Sequence, residues 1–233
     1  MALWEKRGAC AYAKDFLGTV VAFAFYFDNT RCTGCRTCEM ACIDYKDLTV
    51  GRRFRRVIDY EGGTTRSDGS AVVSDAYAYH VSIACNHCAN PACMKVCPTG
   101  AMHKDKLGLV SVHIERCIGC GYCTIACPYH APSIDPDLQQ SSKCNGCAER
   151  VEAGQAPVCV EACPLRALEF GDEGELLQAH PECSSDILPL PDSSYTSPHL
   201  LVKQSEAALR ALAQPGELAN YPEIQNNIGI SND

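Results

Sequence analysis

Cys117-Ile-Gly-Cys120-Gly-Tyr-Cys123-Thr-Ile-Ala-Cys127-Pro128 is the stretch that decides the fold. Three cysteines stand at two-residue gaps, a fourth follows after three residues, and a proline comes next. Cys32, Cys35, Cys38 and Cys42 repeat this C-x2-C-x2-C-x3-C spacing, with Ile43 in place of the proline. Cys85, Cys88, Cys93 and Cys97 read C-x2-C-x4-C-x3-C before Pro98. Cys144, Cys147, Cys159 and Cys163 read C-x2-C-x11-C-x3-C before Pro164. These four quartets take all but two of the 18 cysteines in 233 residues. Cys10 and Cys183 have no companions and are expected to be free thiols.

Three chemistries use cysteines at such density. Disulfides suit small secreted domains, but Cys-x-x-Cys neighbours this closely repeated are hard to pair without strain. Zinc takes two C-x2-C knuckles about 12 to 20 residues apart. The tight run ending in proline is instead the bacterial ferredoxin run, whose first three thiolates hold one [4Fe–4S] cubane and whose fourth reaches the other cluster of a pair. The expected architecture is therefore α+β, with ferredoxin-like modules and four [4Fe–4S] clusters.

The segments between quartets set the pairing. Ala101 to Lys104 and Leu109 to Ile114 read as short strands joined by an Asp105–Gly108 turn, so quartets two and three form one module. The matching strands for quartets one and four lie far apart. Val20 to Asp28 precedes quartet one, and Pro164 to Gly171 follows quartet four. The modules are thus expected to be nested, the second and third quartets inserted between the halves of an outer module. Tandem pairing, one with two and three with four, would leave the end strands without partners. Nesting predicts the ligand sets. Cys32, Cys35, Cys38 and Cys163 hold cluster 1. Cys85, Cys88, Cys93 and Cys127 hold cluster 2. Cys117, Cys120, Cys123 and Cys97 hold cluster 3. Cys144, Cys147, Cys159 and Cys42 hold cluster 4.

The expected divisions are an N-terminal extension over 1–17, the first outer half with a long insertion over 18–84, the inner module over 85–132 and the second outer half over 133–172. A strap and short helix follow over 173–233. Within the insertion, Phe54 to Tyr60 and Tyr77 to Ile83 have strand character, with turns at Gly62-Gly63 and Ser67–Ser70. Glu149 to Ala153 fits one helical turn. Ile187 to Leu201 carries three prolines and reads as extended, and Ser205 to Ala213 as a helix ended near Pro215-Gly216. An apolar, poorly periodic tail of this kind is expected to lie across a partner.

Arg31-CTGCRTCEMACIDYKDL-Thr49, Ser82-IACNHCANPACMKVCPTGAMHK-Asp105, Cys117-IGCGYCTIACPYHA-Pro132 and Lys143-CNGCAERVEAGQAPVCVEACPLRALEF-Gly171 together resemble the iron–sulfur electron-transfer subunits of anaerobic dimethyl sulfoxide reductases. The similarity runs from about Phe23 to about Lys203. The resemblance implies a non-catalytic subunit relaying electrons one at a time from a menaquinol-oxidising membrane subunit to a molybdopterin catalytic subunit. Related subunits serve tetrathionate, polysulfide, thiosulfate, formate and nitrate enzymes, which stand as alternatives. So does a free ferredoxin-like carrier, against which the insertion and strap argue. In nitrate reductase relatives a Trp replaces the second cysteine of the third quartet and the cluster has three irons; Cys120 here implies a full cubane. The family also implies peripheral attachment to the cytoplasmic membrane within a complex, exported to its outer face with the catalytic partner, the cytoplasmic face being the alternative.

The remaining features mostly exclude functions. No run of 18 apolar residues exists, so no spanning helix is expected. A formal charge of −8 argues against nucleic-acid binding. No Ser–His–Asp or paired-carboxylate site can be read from the spacings, and an iron–sulfur enzyme would need an incomplete quartet. Lys6-Arg7 before an apolar run imitates a signal peptide, but Lys14 and Asp15 interrupt it, and cleavage near Ala24 would cut the first strand. Arg31, Arg116 and Lys143 precede quartets, where a cation raises a cluster's potential if it is not merely solvated. His87 is a candidate for tuning a cluster or approaching a quinol site, or is an ordinary loop histidine. Arg52-Arg-Phe-Arg-Arg56 is read as a basic island that docks an acidic partner or is solvated.

Overall fold

The computed structural model describes residues 22–220. The N-terminal extension, with Cys10 and Lys6-Arg7, lies outside them. The chain folds as β1 Phe23–Asp28, α1 Thr37–Tyr45, β2 Arg56–Gly62, β3 Thr65–Asp68, β4 Ala71–Ser74, β5 Tyr77–Ile83, α2 Ala92–Lys95, β6 Met102–Lys104, β7 Val110–Val112 and α3 Tyr122–Ala126. It continues as β8 Ser133–Ile134, β9 Ser141–Ser142, α4 Ala148–Glu152, α5 Val158–Glu161, β10 Leu168–Asp172, α6 Glu173–Ala179, β11 Leu200–Lys203, α7 Glu206–Ala213 and β12 Glu217–Leu218. Small sheets and short helices make it a mixed α and β fold. Among the described residues no helix is long and apolar enough to cross a membrane.

β1 is central and buried along its whole length. It pairs antiparallel with β10, Phe25 opposite Phe170, and parallel with β11, Phe25 opposite Leu200. Alternation decides its two faces. Phe23, Phe25 and Phe27 enter the main core, where Phe170 stacks on Phe23 with centroids 5.3 Å apart. Ala24 and Tyr26 face the other way, onto Leu176 of α6 and Leu201. Asp172 caps α6 by accepting from the Glu175 amide at 2.9 Å. The inner hairpin β6–β7 pairs Met102 with Val112. It is shorter than the sequence suggested, because Ile114–Arg116 turn into a 3-10 helix leading to Cys117.

The insertion forms β2 and β5, antiparallel from Arg56 opposite Ile83 to Gly62 opposite Tyr77. An exposed hairpin, β3–β4, extends it. The tail is tied to the body. It closes on its own chain: β11 adds to β1, β12 pairs with β2, and α7 packs on β5. Two open strand edges in the body offer partners for Leu200–Lys203 and Glu217–Leu218, and pairing satisfies backbone groups that an isolated strap would leave to solvent. Ser205 fixes the start of α7, its Oγ accepting from the Ala208 amide at 3.2 Å.

Candidate iron–sulfur site

The first Cys-x-x-Cys loop of each quartet turns through one left-handed residue just before its second cysteine. Gly34, His87, Gly119 and Gly146 take φ of 67°, 46°, 68° and 69°. Glycine adopts this conformation freely. At Gly34 a side chain is also excluded by space, since a Cβ would lie 2.6 Å from His80 Nδ1. Such turns direct successive backbone N–H groups inward, a concavity that suits anionic sulfur. After the second cysteine the first, third and fourth loops enter α1, α3 and α4 from a left-handed cap at Arg36, Gly121 and Cys147.

Helix packing then decides which sulfurs meet. α1 carries Cys38 and Cys42 and packs on α5, which carries Cys159 and leads to Cys163. α2 and α3 pack in the same way, bringing Cys93 and Cys97 against Cys123 and Cys127. Each pair exchanges one cysteine across the contact. Three small cavities result. One is lined by Cys85, Cys88, Cys93 and Cys127, one by Cys97, Cys117, Cys120 and Cys123, and one by Cys32, Cys35, Cys38 and Cys163. The other four, Cys42, Cys144, Cys147 and Cys159, are all buried and repel one another's charged forms, with Cys85 also acting on Cys144. Cys183 stands apart beside Tyr26 and Leu176.

The donor set fits a cluster rather than one ion. Among the described residues no three His, Cys, Asp or Glu side chains converge as a single ion's ligands do. Four cysteines line each of the three cavities, a soft, many-sulfur donor set that suits a guest of several metal atoms. Burial and repulsion from neighbouring sulfurs push Cys42 and Cys93 up to about 12. Burial raises Cys32 and Cys88 to about 11. Without metal these groups are therefore neutral thiols, and loading must release protons. Cys35 runs the other way, lowered by hydrogen bonds from Thr37.

The cations divide. Arg31 and Arg116 are exposed. Lys143 is 6% exposed, and its Nζ donates to Cys85 Sγ at 3.5 Å, Cys144 O at 2.8 Å and Val110 O. It thus stands between two cysteine sets. The Arg52–Arg56 island is a correction to the solvated reading: its charges are taken up inside the fold. Arg52 holds Asp135 and Ser142, Arg53 Nε meets Glu39 Oε1 at 2.8 Å, Arg56 donates to Tyr129 O, and Arg55 is fully enclosed. Carboxylates, carbonyls and sulfurs inside the fold take up the charge that the sequence alone assigned to a surface.

His87 is also interior, 1% exposed, which removes it from any quinol at the surface. Its Nδ1 accepts from the Val110 amide at 3.0 Å, which leaves the proton on Nε2. Burial and the nearby Lys143 charge hold its pKa well below the usual value, so the ring is neutral. Nε2 has no hydrogen-bond partner and faces Gly146 in the Cys144–Cys147 loop. Periodicity could not reveal Arg55 or His87 as interior groups. The only cue for His87 was its position between Cys85 and Cys88, and Arg55 had none.

A 4Fe-4S dicluster domain family matches residues 76–173. The B subunit of anaerobic dimethyl sulfoxide reductase from Haemophilus influenzae is 50% identical over 204 residues, 87% of this chain and 98% of that protein. The Escherichia coli protein of the same name is 46% identical over 202 residues, with the same coverage. This chain belongs to the family of dimethyl sulfoxide reductase B subunits. The thiosulfate reductase electron transfer subunit of Salmonella typhi is 41% identical over 157 residues, 66% of this chain and 79% of that protein. As a family member the chain is a [4Fe–4S] iron–sulfur electron-transfer subunit and not itself the catalytic one.

Proposed function

We propose that the chain carries electrons singly through four [4Fe–4S] clusters, from a menaquinol-oxidising membrane subunit to the molybdopterin subunit of a dimethyl sulfoxide reductase. One observation carries this reading: sixteen cysteines gather into four sets, with solvent-exposed thiols only in the two sets at the ends. Cys35 is exposed in one and Cys120 in another, while the sets of Cys85 and Cys144 are wholly buried. Arg55 reaches Cys38 through Ser82 Oγ and acts electrostatically on Cys159, and Lys143 bonds both the Cys85 sulfur and the Cys144 carbonyl. That supports the order cluster 1, cluster 4, cluster 2, cluster 3. The β1–β10 and β6–β7 pairings support nested modules with halves at 18–84 and 133–172 around 85–132. The identities support dimethyl sulfoxide reductase over the thiosulfate and formate enzymes, whose subunits are less similar.

When bound, each cluster supplies a one-electron couple. The chain's own residues do the rest. Cysteines hold the sites, aromatic strands and α6 keep water from the interior, and buried cations set the local field. Around Cys120, Ile118, Tyr122 and Ile125 are exposed, Ile125 by 82%. This apolar rim suits the membrane subunit, and the Cys35 end then meets the catalytic subunit. Peripheral attachment at the outer face of the cytoplasmic membrane follows if that partner carries the export signal. Iron analysis tests the core of the reading. The holo chain should hold about 16 irons and ~16 sulfides, four of each per cubane. The formal charge of −8 should then fall to roughly −16, each oxidised cubane with four thiolates adding −2. About 8 irons, or zinc instead, would refute it.

A further inference from the structure

Arg55 is 2% exposed and is among the largest fully buried side chains. Its guanidinium is charged at any working pH. Among the described residues no carboxylate pairs with it. Its Nη1 donates to Ser82 O at 3.2 Å and Ser82 Oγ at 3.1 Å, and its plane lies 4.7 Å from the Phe25 ring. Nε has no partner at all. Neutral acceptors and one ring face do not offset the burial of a full charge.

The anionic atoms that can offset it are sulfurs. Ser82 Oγ, which accepts from Arg55, also lies 3.3 Å from Cys38 Sγ. Cys159 packs in the same buried cluster as Phe25 and Cys38, and it and Cys144 act electrostatically on the guanidinium. The same charge acts on Cys42, drawing its thiol's pKa down against burial. Cys38 lines the cavity of Cys32, Cys35 and Cys163, whereas Cys42, Cys144 and Cys159 belong to the buried fourth set. One cation thus serves these two cysteine sets together.

We infer that Arg55 is the permanent counter-charge shared by the Cys32/Cys35/Cys38/Cys163 and Cys42/Cys144/Cys147/Cys159 clusters, and that it raises the reduction potential of both. This rests on the four-cluster reading above. Each of these sites carries net negative charge, and reduction adds more. A fixed positive charge in a dry interior favours the reduced form and is little screened by salt. Arg55 therefore makes two adjacent steps of the relay accessible to the same donor.

The test uses the intact complex, with Arg55→Gln and Arg55→Lys compared with wild type by redox-poised electron paramagnetic resonance and iron analysis. In Arg55→Gln, iron content should hold while two of four midpoints fall. Each should fall by at least about tenfold in the reduction equilibrium, ~59 mV for a one-electron couple. The other two should stay, and Arg55→Lys should restore most of the loss. Four unmoved midpoints, or four that shift alike, overturn the inference. If Arg55→Gln loses iron, Arg55→Lys decides: full iron with near wild-type midpoints supports a role for charge, and loss of iron there too shows a packing role and overturns it. Low iron in wild type would instead fail the four-cluster reading and take this inference with it. Full wild-type iron with unmoved midpoints fails this inference alone.

Discussion

Replacing Lys143 with methionine removes a charge while keeping most of the side chain's bulk. Its Nζ stands 3.5 Å from Cys85 Sγ. An added electron is spread over the cubane beyond that sulfur, so an effective separation of about 7 Å is reasonable. At an effective dielectric of about 20, the attraction is then roughly 2.4 kcal/mol. That converts to about 100 mV in a one-electron midpoint, at ~59 mV per tenfold. The cluster held by Cys85, Cys88, Cys93 and Cys127 should therefore become harder to reduce by about this much, and the Cys144 cluster by less. Lys143 also donates to Val110 O and Cys144 O, so the variant leaves two buried carbonyls short of a donor. Each costs about 1–3 kcal/mol of stability, which acts on folding and not on the potential. Redox titration of the purified complex followed by electron paramagnetic resonance separates the two, with iron content as control. The shift should be nearly independent of salt, because the pair is buried. Arg116→Gln, at an exposed cation before the third quartet, should move its cluster little. Full iron with a shift under about 20 mV in Lys143→Met would refute the electrostatic argument, since it would require an effective dielectric near that of water.

Three further outcomes are expected. Cys120→Trp should remove one soft ligand from the cavity shared with Cys97, Cys117 and Cys123, leaving a three-iron cluster that is paramagnetic when oxidised; an unchanged oxidised spectrum would mean that Cys120 is not a ligand. Glu39, 4% exposed, accepts from the Val57 amide at 3.1 Å and pairs with Arg53, so Glu39→Ala should cost about 3 kcal/mol. At about 2–4 °C per kcal/mol for a chain of this size, the loss of cluster absorbance on heating should move down by roughly 6–12 °C. Gly34→Ala drives a Cβ to 2.6 Å from His80 Nδ1, whereas Gly100→Ala meets nothing within 4 Å although both glycines have positive φ. Iron analysis should show cluster loss in the first variant and a full complement in the second, where only about 1–2 kcal/mol of backbone strain is added.

Ligand spacing is local, so the cysteine quartets were legible from sequence, as were the strand pairs next to them. Tyr77–Ile83 is found as a strand over the same residues that its β-forming composition suggested. Elements that depend on distant partners were not legible. Leu200-Leu-Val-Lys203 is too short to announce itself, and its partner β1 lies at the other end of the chain. The helices α2, α3 and α5 have only four or five residues each, below the length at which periodicity can be seen. They arise because each cysteine loop forces a turn and packs its neighbour, not because their residues favour helix. The Arg52–Arg56 island failed for a different reason. Reading charge as surface assumes an apolar interior. Here the interior is lined with sulfur that becomes anionic when metal binds, and the same desolvation that excludes a lone cation from an ordinary core favours one placed between two such groups. Apolar burial and charge neutralisation therefore act on the same side chains: Arg55 rests on Phe25 and faces Cys38 and Cys159. The core of this chain is completed only when its sulfurs carry their charge. Loading of the clusters and consolidation of the β2 segment should accordingly be one thermodynamic event.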